Sequence, residues 1–325
     1  MKRSVLNNTS SLILAFVGQK IFALLFFTWI ARRVGVDITG AYIFAFSYTS
    51  FFAVFIDVGF TSFLIRQIAR DASSAQKLIA TVLGTKFWLG ILTAAAVLAT
   101  IPLLHKSDLV NTMVYIAVAV MILDSFTLTF WGIFRGFQNL KYEGINVVIA
   151  QVVILLSGAV VFYGHLPPFY LAAAIMSGSL YQFMAGAVLI KKKLSLSLKP
   201  NLNFGRLKLD LSPIFKISYP FALSIILTRF YTYFDQIMLS LMKGEYDLGI
   251  YGVPYKLTFA MQFIPGALGS ALFPAMSEDF IQDKNRLGRL FEKSMFYLML
   301  VSLPITTWVL VLAQPIILQI YGHKY

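Results

Sequence analysis

Long apolar runs constrain this chain more than any other feature of its sequence. Nine stretches, each about as long as the roughly 20 residues that cross a bilayer core, follow one another with mostly short connections. They cover residues 11–31, 41–64, 78–101, 110–134, 145–164, 167–190, 214–236, 248–273 and 290–312. The sequence therefore predicts an all-α integral membrane protein with about nine transmembrane helices.

The composition agrees with a membrane environment. Hydrophobic residues make up 58% of the chain and charged residues only 13%, whereas soluble domains carry about a quarter charged residues. The many phenylalanines and tyrosines suit a lipid-facing surface with aromatic rings near the headgroups. The chain has no cysteine, which excludes a disulfide framework, a thiolate nucleophile and a cysteine-ligated metal.

The positions of the basic residues predict the topology. The net charge is +13, and most of the lysines and arginines lie in the connections between apolar runs. One set of alternate connections carries sixteen of them and the opposite set carries five. The heavier set, which includes the amino terminus, is cytoplasmic by the positive-inside rule. We expect a multi-pass protein of the cytoplasmic membrane with its amino terminus inside, and no nucleic-acid partner.

One long connection divides the chain into two unequal parts. Residues 191–213 are basic and polar and contain two prolines. The sequence thus predicts an N-terminal six-helix bundle over residues 1–190, a cytoplasmic basic linker over 191–213, and a partial C-terminal bundle of about three helices over 214–325.

A short internal repeat relates the two parts. GAYIFAFSYTSFF resembles GIYGVPYKLTFAM, so that Gly40 and Tyr42 correspond to Gly249 and Tyr251. Both copies would enter the membrane in the same direction, as parallel repeats do. A second six-helix half would need about three more helices, so we expect the chain to be truncated at its carboxyl end.

Several segments resemble the oligosaccharide flippases. They are DQIML (235–239), LGIY (248–251), YKL (255–257), RGFQNLKYE (135–143), GAYIFAFSY (40–48) and the amino-terminal NNTSSLILAFVGQKIFALLFFTWIARRVG. This O-antigen and polysaccharide export branch shares a superfamily with the multidrug and toxin extruders. The resemblance implies two six-helix bundles around a central cavity that opens alternately to each side. It also implies a cargo glycan on a polyprenyl diphosphate carrier. Expected partners are membrane lipids, this glycan, a coupling ion and other polysaccharide assembly proteins.

Seven ionisable residues stand out within the predicted spans, where charge is costly and usually faces a cavity or the bundle interior. They are Lys20, Asp57, Lys86, Asp124, Arg229, Asp235 and Lys256. The first four come out at a similar depth, estimated at about 1.5 Å per residue. Either the lysines of this layer line the cavity and attract the diphosphate while the aspartates keep the empty site neutral, or these residues form structural ion pairs.

The three charges of the second part allow two interpretations as well. Arg229 and Lys256 could receive the anionic headgroup in the outer half of the membrane. Alternatively, these residues and Asp235 extend towards the external interface, as long charged side chains do.

The sequence shows no signature of an enzyme. It contains no Walker A loop and no Gly-x-Ser-x-Gly motif. The histidines at 105, 165 and 323 lie outside the spans and are too scattered for a zinc site. We expect no cofactor, metal or catalytic residue. Two alternatives stay open: a drug or metabolite antiporter of the same superfamily, and a membrane-embedded glycosyl- or acyltransferase.

Overall fold

The chain folds into long helices connected by short turns. The computed structural model describes residues 2–261, 272, 276, 279, 280 and 283–325, with side chains for all of them except 2–14, 204–221 and 260. The helices are α1 (Lys2–Val34), α2 (Val36–Phe52), α3 (Val54–Asp57), α4 (Phe60–Arg70), α5 (Ala75–Thr100), α6 (Asp108–Gly136), α7 (Lys141–Tyr163), α8 (Tyr170–Leu189), α9 (Phe204–Lys243), α10 (Glu245–Met261) and α11 (Lys284–Tyr321).

Seven segments of the described residues are long and apolar enough to cross a membrane. They are Ala15–Val34, Val36–Asp57, Ala72–Leu104, Asp108–Gly136, Lys141–Tyr163, Tyr170–Leu194 and Lys284–Tyr321. The other two predicted spans fall on α9 and α10, and residues 262–271 of the second lie outside the described residues. The all-helical membrane architecture is confirmed, while the count of nine spans stays a prediction.

The second predicted span is interrupted rather than continuous. Val58 and Gly59 have φ angles of +39° and +82°, and two successive left-handed residues cannot continue a right-handed helix. Glycine adopts this conformation readily, and α4 begins directly after it. The interruption leaves Asp57 as the last residue of α3. Hydropathy alone predicted an unbroken helix over 41–64 because it does not register backbone geometry.

The linker is pinned to α5. The side-chain amide of Gln76 donates to the carbonyl oxygen of Ser197 and accepts from its backbone N–H, both at 2.9 Å. The backbone N–H of Asn201 donates to the carbonyl oxygen of Ala80 at 2.9 Å. A Cβ at Gly84 would overlap the carbonyl oxygen of Asn201, so this glycine permits the close approach. We call this end of the molecule the linker side, and the opposite end the far side.

The irregular part of the connection is shorter than the predicted linker of 191–213. A π-helical turn covers Ile190–Leu194, an extended stretch follows, and α9 begins at Phe204. The amphiphilic start of α9 carries enough charged residues to be taken for a linker in the sequence.

Helices α2 and α10 pack together through a reciprocal pair of glycines. A Cβ at Gly40 would overlap the carbonyl oxygen of Glu245, and a Cβ at Gly249 would overlap that of Val36. Val36 and Glu245 are the first residues of the two helices, and each glycine follows four residues later. Two copies of one motif related by a two-fold axis would make this contact. It joins the N-terminal helices α1–α8 to the C-terminal helices α9–α11.

Candidate functional site

A cavity of about 500 Å³ lies between the N-terminal and C-terminal helices. Helices α1, α2, α7 and α8 contribute to its wall from one part, and α9 and α10 from the other. Its polar and aromatic lining includes Lys20, Tyr42, Gln151, Tyr233, Lys256 and Phe259. The volume lies within the range of ligand sites in proteins.

Two lysines from different parts of the chain share this cavity. Lys20 belongs to α1 and Lys256 to α10, and their charges are close enough to repel each other. The Lys256 Nζ lies 5.6 Å from the ring centroid of Phe27, within the range of a cation–π contact. None of the described residues that line the cavity is acidic. The described part of the cavity therefore has a positive potential, which suits an anionic ligand.

Arg229 lies next to this cavity. Its Nη1 donates to the Tyr233 hydroxyl at 3.2 Å, and its guanidinium carbon lies 5.6 Å from the ring centroid of the same tyrosine. Because Tyr233 lines the cavity, Arg229 stands one helical turn from the cavity wall rather than in it. A third cation thus adjoins the two lysines.

Lys86 and Asp57 form a buried ion pair away from this cavity. The Lys86 Nζ lies 2.7 Å from Asp57 Oδ1, and the Lys86 side chain is fully buried. It also donates to the carbonyl oxygen of Ser125 at 2.6 Å and to Thr129 Oγ1 at 2.7 Å. The Thr61 hydroxyl donates to the same Asp57 oxygen at 2.6 Å. All three ammonium protons have acceptors, so the geometry fits the structural ion pair.

The four charges of similar predicted depth are not gathered into one cluster. Lys20 reaches the cavity, Lys86 pairs with Asp57, and Asp124 lies apart at an exposed position of α6 close to Ser179. Lys20 instead meets Lys256, which the sequence placed at a different depth. Distance along a helix estimates depth but leaves open the side of the helix on which a residue lies.

Asp235 is held by a tyrosine of the neighbouring helix. Its Oδ2 accepts from the Tyr251 hydroxyl at 2.6 Å, and its Oδ1 accepts from the backbone N–H of Gln236 at 2.8 Å. It does not line the cavity described above. Both Asp235 and Tyr251 lie in the segments on which the resemblance to flippases rests, and their hydrogen bond joins α9 to α10.

A comparison with known protein families identifies the chain. Residues 5–280 match the family described as polysaccharide biosynthesis proteins. The chain belongs to this family. The recognition drawn from the sequence motifs is thereby confirmed.

Two relatives of this family member come from Shigella. A protein of Shigella dysenteriae, assigned as an O-antigen transporter, is 27% identical over 229 residues. The match covers 70% of this chain and 56% of that protein. A Shigella flexneri protein with the same assignment is 28% identical over 102 residues, which are 31% of this chain and 24% of that one. The chain spans about half the length of the first relative and less of the second.

Two solved structures share the fold of this polysaccharide biosynthesis protein. A multidrug resistance transporter of the MATE family and MOP superfamily, in an inward-facing conformation, aligns with a TM-score of 0.72. It is 16% identical, and the alignment covers 95% of this chain and 76% of that one. A MATE protein in a bent conformation aligns with a TM-score of 0.62 at 15% identity, over 99% and 75% of the two chains. The named proteins are transporters rather than enzymes.

The uncharged residues that line the cavity carry no recognisable signal in the sequence. Tyr42, Gln151 and Tyr233 place a hydroxyl or an amide in its lining. In the sequence, Tyr42 stands out only as part of the repeat. Such residues are common in membrane helices, so without the fold their types do not separate cavity lining from packing.

An ion pair on the far side was also not predicted from the sequence. Lys106 Nζ lies 2.9 Å from Glu245 Oε1, and it donates to the carbonyl oxygen and hydroxyl of Ser240 at 2.7 and 2.9 Å. Lys106 lies just before α6, whereas Ser240 and Glu245 belong to α9 and α10. In the sequence, Lys106 is one of the charges in the connections between spans, whereas in the structure its ion pair joins the two parts of the molecule.

Proposed function

We propose that the chain belongs to a transporter that flips lipid-linked oligosaccharides across the cytoplasmic membrane by alternating access, for surface polysaccharide export. The observation that carries this proposal is the cavity that Lys20 and Lys256 share, with no acidic residue among the lining residues that the structure describes. Family membership and the Shigella relatives assigned as O-antigen transporters support it. The cargo would be a glycan on a polyprenyl diphosphate.

The two lysines would bind the diphosphate. Because their charges repel each other, an anion with two charged phosphates between them would remove a repulsion as well as form two contacts. Lysine is a compact charge on a flexible stem, so it can follow the phosphate and then release it. Lys20 and Lys256 also belong to different parts of the chain, so cargo binding would couple to the separation of those parts.

The other site residues would have supporting roles. Tyr42, Gln151 and Tyr233 would offer hydrogen bonds and aromatic faces to the sugars. Arg229 would stabilise the headgroup as it moves beyond the lysines. Asp57 would neutralise Lys86 within the N-terminal helices, and Asp124 and Asp235 would lower the positive charge around the path. The proposed partners also include a coupling ion and other polysaccharide assembly proteins.

The proposed orientation has the linker side and the amino terminus in the cytoplasm. The lysine cluster of Ile190–Leu194 lies on that side, and such excess positive charge is typical of cytoplasmic connections. On the far side Lys106 and Glu245 join the two parts, as an arrangement that is closed on the outer side would require.

A drug antiporter is the second candidate. The phenylalanines and tyrosines of the cavity wall, among them Phe27 and Phe259, would suit an apolar aromatic drug. The solved structures with this fold are MATE transporters, but their identity to this chain is low enough to show only the fold. Two cations in the lining would repel a cationic drug, which favours the anionic cargo.

A liposome assay tests the proposal. The complete protein is reconstituted with a fluorescent lipid-diphosphate oligosaccharide, and passage between leaflets is measured. Lys20→Gln and Lys256→Gln should each slow passage by about 10–100-fold, since a hydrogen bond to a charged group contributes about 1.5–3 kcal/mol. Lys192→Gln, which removes an exposed lysine outside the cavity, is the matched control. Undiminished passage in both cavity variants would contradict the site, and passage of an aromatic drug but no glycan would favour the antiporter.

A further inference from the structure

A second cavity, of about 440 Å³, lies on the N-terminal helices and shares no lining residue with the first. Helices α5, α6 and α8 form its walls, and the lining residues that the structure describes are all apolar. Phe87 is 39% exposed, so the cavity is a groove open on its outer side. It lies within three of the segments that can span a membrane.

The groove runs along the helices. In α6, Ile122, Phe126 and Phe130 follow one another at four-residue intervals, which places them in one row about 12 Å long. Phe183 and Ala187 form a second row of this kind in α8. A groove parallel to transmembrane helices has the direction of a lipid chain in the bilayer. Its shape therefore suits an extended hydrocarbon chain.

The linker forms the mouth of the groove. Leu198 and Pro200 belong to its lining. The stretch that carries them is held against α5 by the hydrogen bonds of Gln76 and Asn201. The mouth is thus part of the folded structure. It opens towards the linker side, where the ends of α6 and α8 and the start of α5 lie.

Two exposed lysines flank this mouth. Lys199 stands between Leu198 and Pro200, both of which line the groove. Lys191 lies four residues after Ala187, in the π-helical turn that follows α8 on the linker side. Residues 190–203 contain four lysines and no acidic residue. An apolar groove with a cationic mouth is complementary to an amphiphile that has a hydrocarbon chain and an anionic headgroup.

We propose that this groove binds an anionic phospholipid from the leaflet on the linker side. One acyl chain would lie against Phe87, Phe126 and Phe183, and the phosphate would lie between Lys191 and Lys199. The lipid would hold the linker against α5 and so stabilise the start of the connection to α9. This site is independent of the transported cargo.

Native mass spectrometry tests the proposal. The delipidated protein in detergent is mixed with dioleoyl phosphatidylglycerol or with dioleoyl phosphatidylcholine, and bound lipid is counted over a concentration series. The wild type should retain phosphatidylglycerol about thirtyfold more tightly, the effect of two lysines near an anionic headgroup. Lys191→Gln/Lys199→Gln should remove this preference. Lys192→Gln/Lys193→Gln removes the same charge beside the mouth and should keep most of it.

A second pair of variants tests the groove. Ala187→Trp fills it and should abolish retention of phosphatidylglycerol, whereas Val188→Trp adds the same ring at an exposed neighbouring position and should not. Size-exclusion chromatography and circular dichroism check that each variant is folded. Equal retention of the two lipids, equal loss in both lysine variants, or retention in Ala187→Trp would overturn the proposal. Displacement of phosphatidylglycerol by polyprenyl phosphate at equal concentration would also overturn it and would assign the groove to the cargo.

Discussion

Lys86 is a fully buried cation whose three protons all have acceptors. Burying an ammonium group in a medium of low dielectric constant is costly, and the nearby carboxylate of Asp57 offsets that cost. The break between α3 and α4 puts this carboxylate at a helix end, where Thr61 also donates to it. At the scale of single residues, the Lys86–Asp57 pair therefore serves helix packing, whereas Lys20 and Lys256 line a cavity.

The pair makes a stability prediction. Lys86→Met should destabilise the protein by about 3–5 kcal/mol, because it leaves a buried carboxylate without its countercharge. The double variant Lys86→Met/Asp57→Leu should recover most of this loss, since apolar replacements of a buried pair are often neutral. Unfolding of the purified protein in detergent measures both. A single variant as stable as Lys192→Met would show that the pair contributes nothing.

At the scale of helices, close packing of α2 on α10 depends on two glycines without side chains. The carbonyl oxygens of Glu245 and Val36 occupy the positions where Cβ atoms of Gly40 and Gly249 would stand. Backbone atoms at the start of a helix cannot move aside as a flexible side chain can. Small residues commonly allow such approaches in membrane proteins.

The two glycines should therefore be intolerant of alanine. Gly40→Ala and Gly249→Ala are each expected to destabilise the protein by about 1–3 kcal/mol, the usual cost of overpacking. Gly18 of α1 has open space where its Cβ would stand, so Gly18→Ala should be neutral or stabilise by up to about 1 kcal/mol. Thermal unfolding in detergent compares the three. If Gly40→Ala is no less stable than Gly18→Ala, the close approach is not required.

The start of α11 makes a pH-dependent prediction. Backbone N–H groups of Arg286 and Asn285 donate to the side chain of Asp283 and lower the pKa of this carboxyl. A lowered pKa in the folded state means that the stabilisation is present above the pKa of the unfolded chain and is lost as the pH falls through the folded pKa. Amide exchange at residues 284–287, corrected for intrinsic rates, should accelerate in that range. In the Asp283→Ala variant, these amides should exchange fast at every pH. If the pH profile of exchange in this variant matches that of the wild type, the Asp283 side chain does not cap the helix.

At the scale of the whole molecule, several contacts join the two parts on the side away from the linker. Lys106 pairs with Glu245, and Thr39 hydrogen-bonds to Tyr325. Deeper in the molecule, the Ser47 hydroxyl donates to Gln236 Oε1 at 2.6 Å between α2 and α9. Any opening of the cavity towards the far side has to break these contacts. They set the free energy of the closed state relative to an open one.

Weakening the ion pair should favour opening. Glu245→Gln is expected to raise the open population about fivefold, as the loss of about 1 kcal/mol predicts for a partly exposed pair. Because the chain has no cysteine, Gln151→Cys gives a single reporter in the cavity. Its labelling by an impermeant maleimide from the far side measures opening. Lys192→Gln in the Gln151→Cys background is the control. Equal labelling rates in Gln151→Cys alone, with Glu245→Gln and with Lys192→Gln would contradict a role for the ion pair in closure.

The sequence by itself determined the environment, the helical architecture and the family of this protein. Apolar runs of membrane-spanning length are a local property, because each helix in lipid must satisfy its own backbone hydrogen bonds. The starts and ends of α5–α8 lie within four residues of the predicted span ends, whereas α1, α9 and α11 run six to ten residues past theirs at one end or both, and the break after Asp57 was not predicted. The sequence also identified the seven charged residues within the spans, because a charge in an apolar run can be recognised without knowledge of the fold.

Only the tertiary structure decided which of these charges meet. Lys20 and Lys86 looked equivalent in the sequence, yet Lys20 lies in a cavity with Lys256 while Lys86 is buried with Asp57. In a soluble helix the polar face would have indicated the orientation. A membrane helix is apolar towards lipid and towards protein alike, so its pattern carries little information about which side faces a neighbour. Contacts between helices that are distant in sequence supply that information.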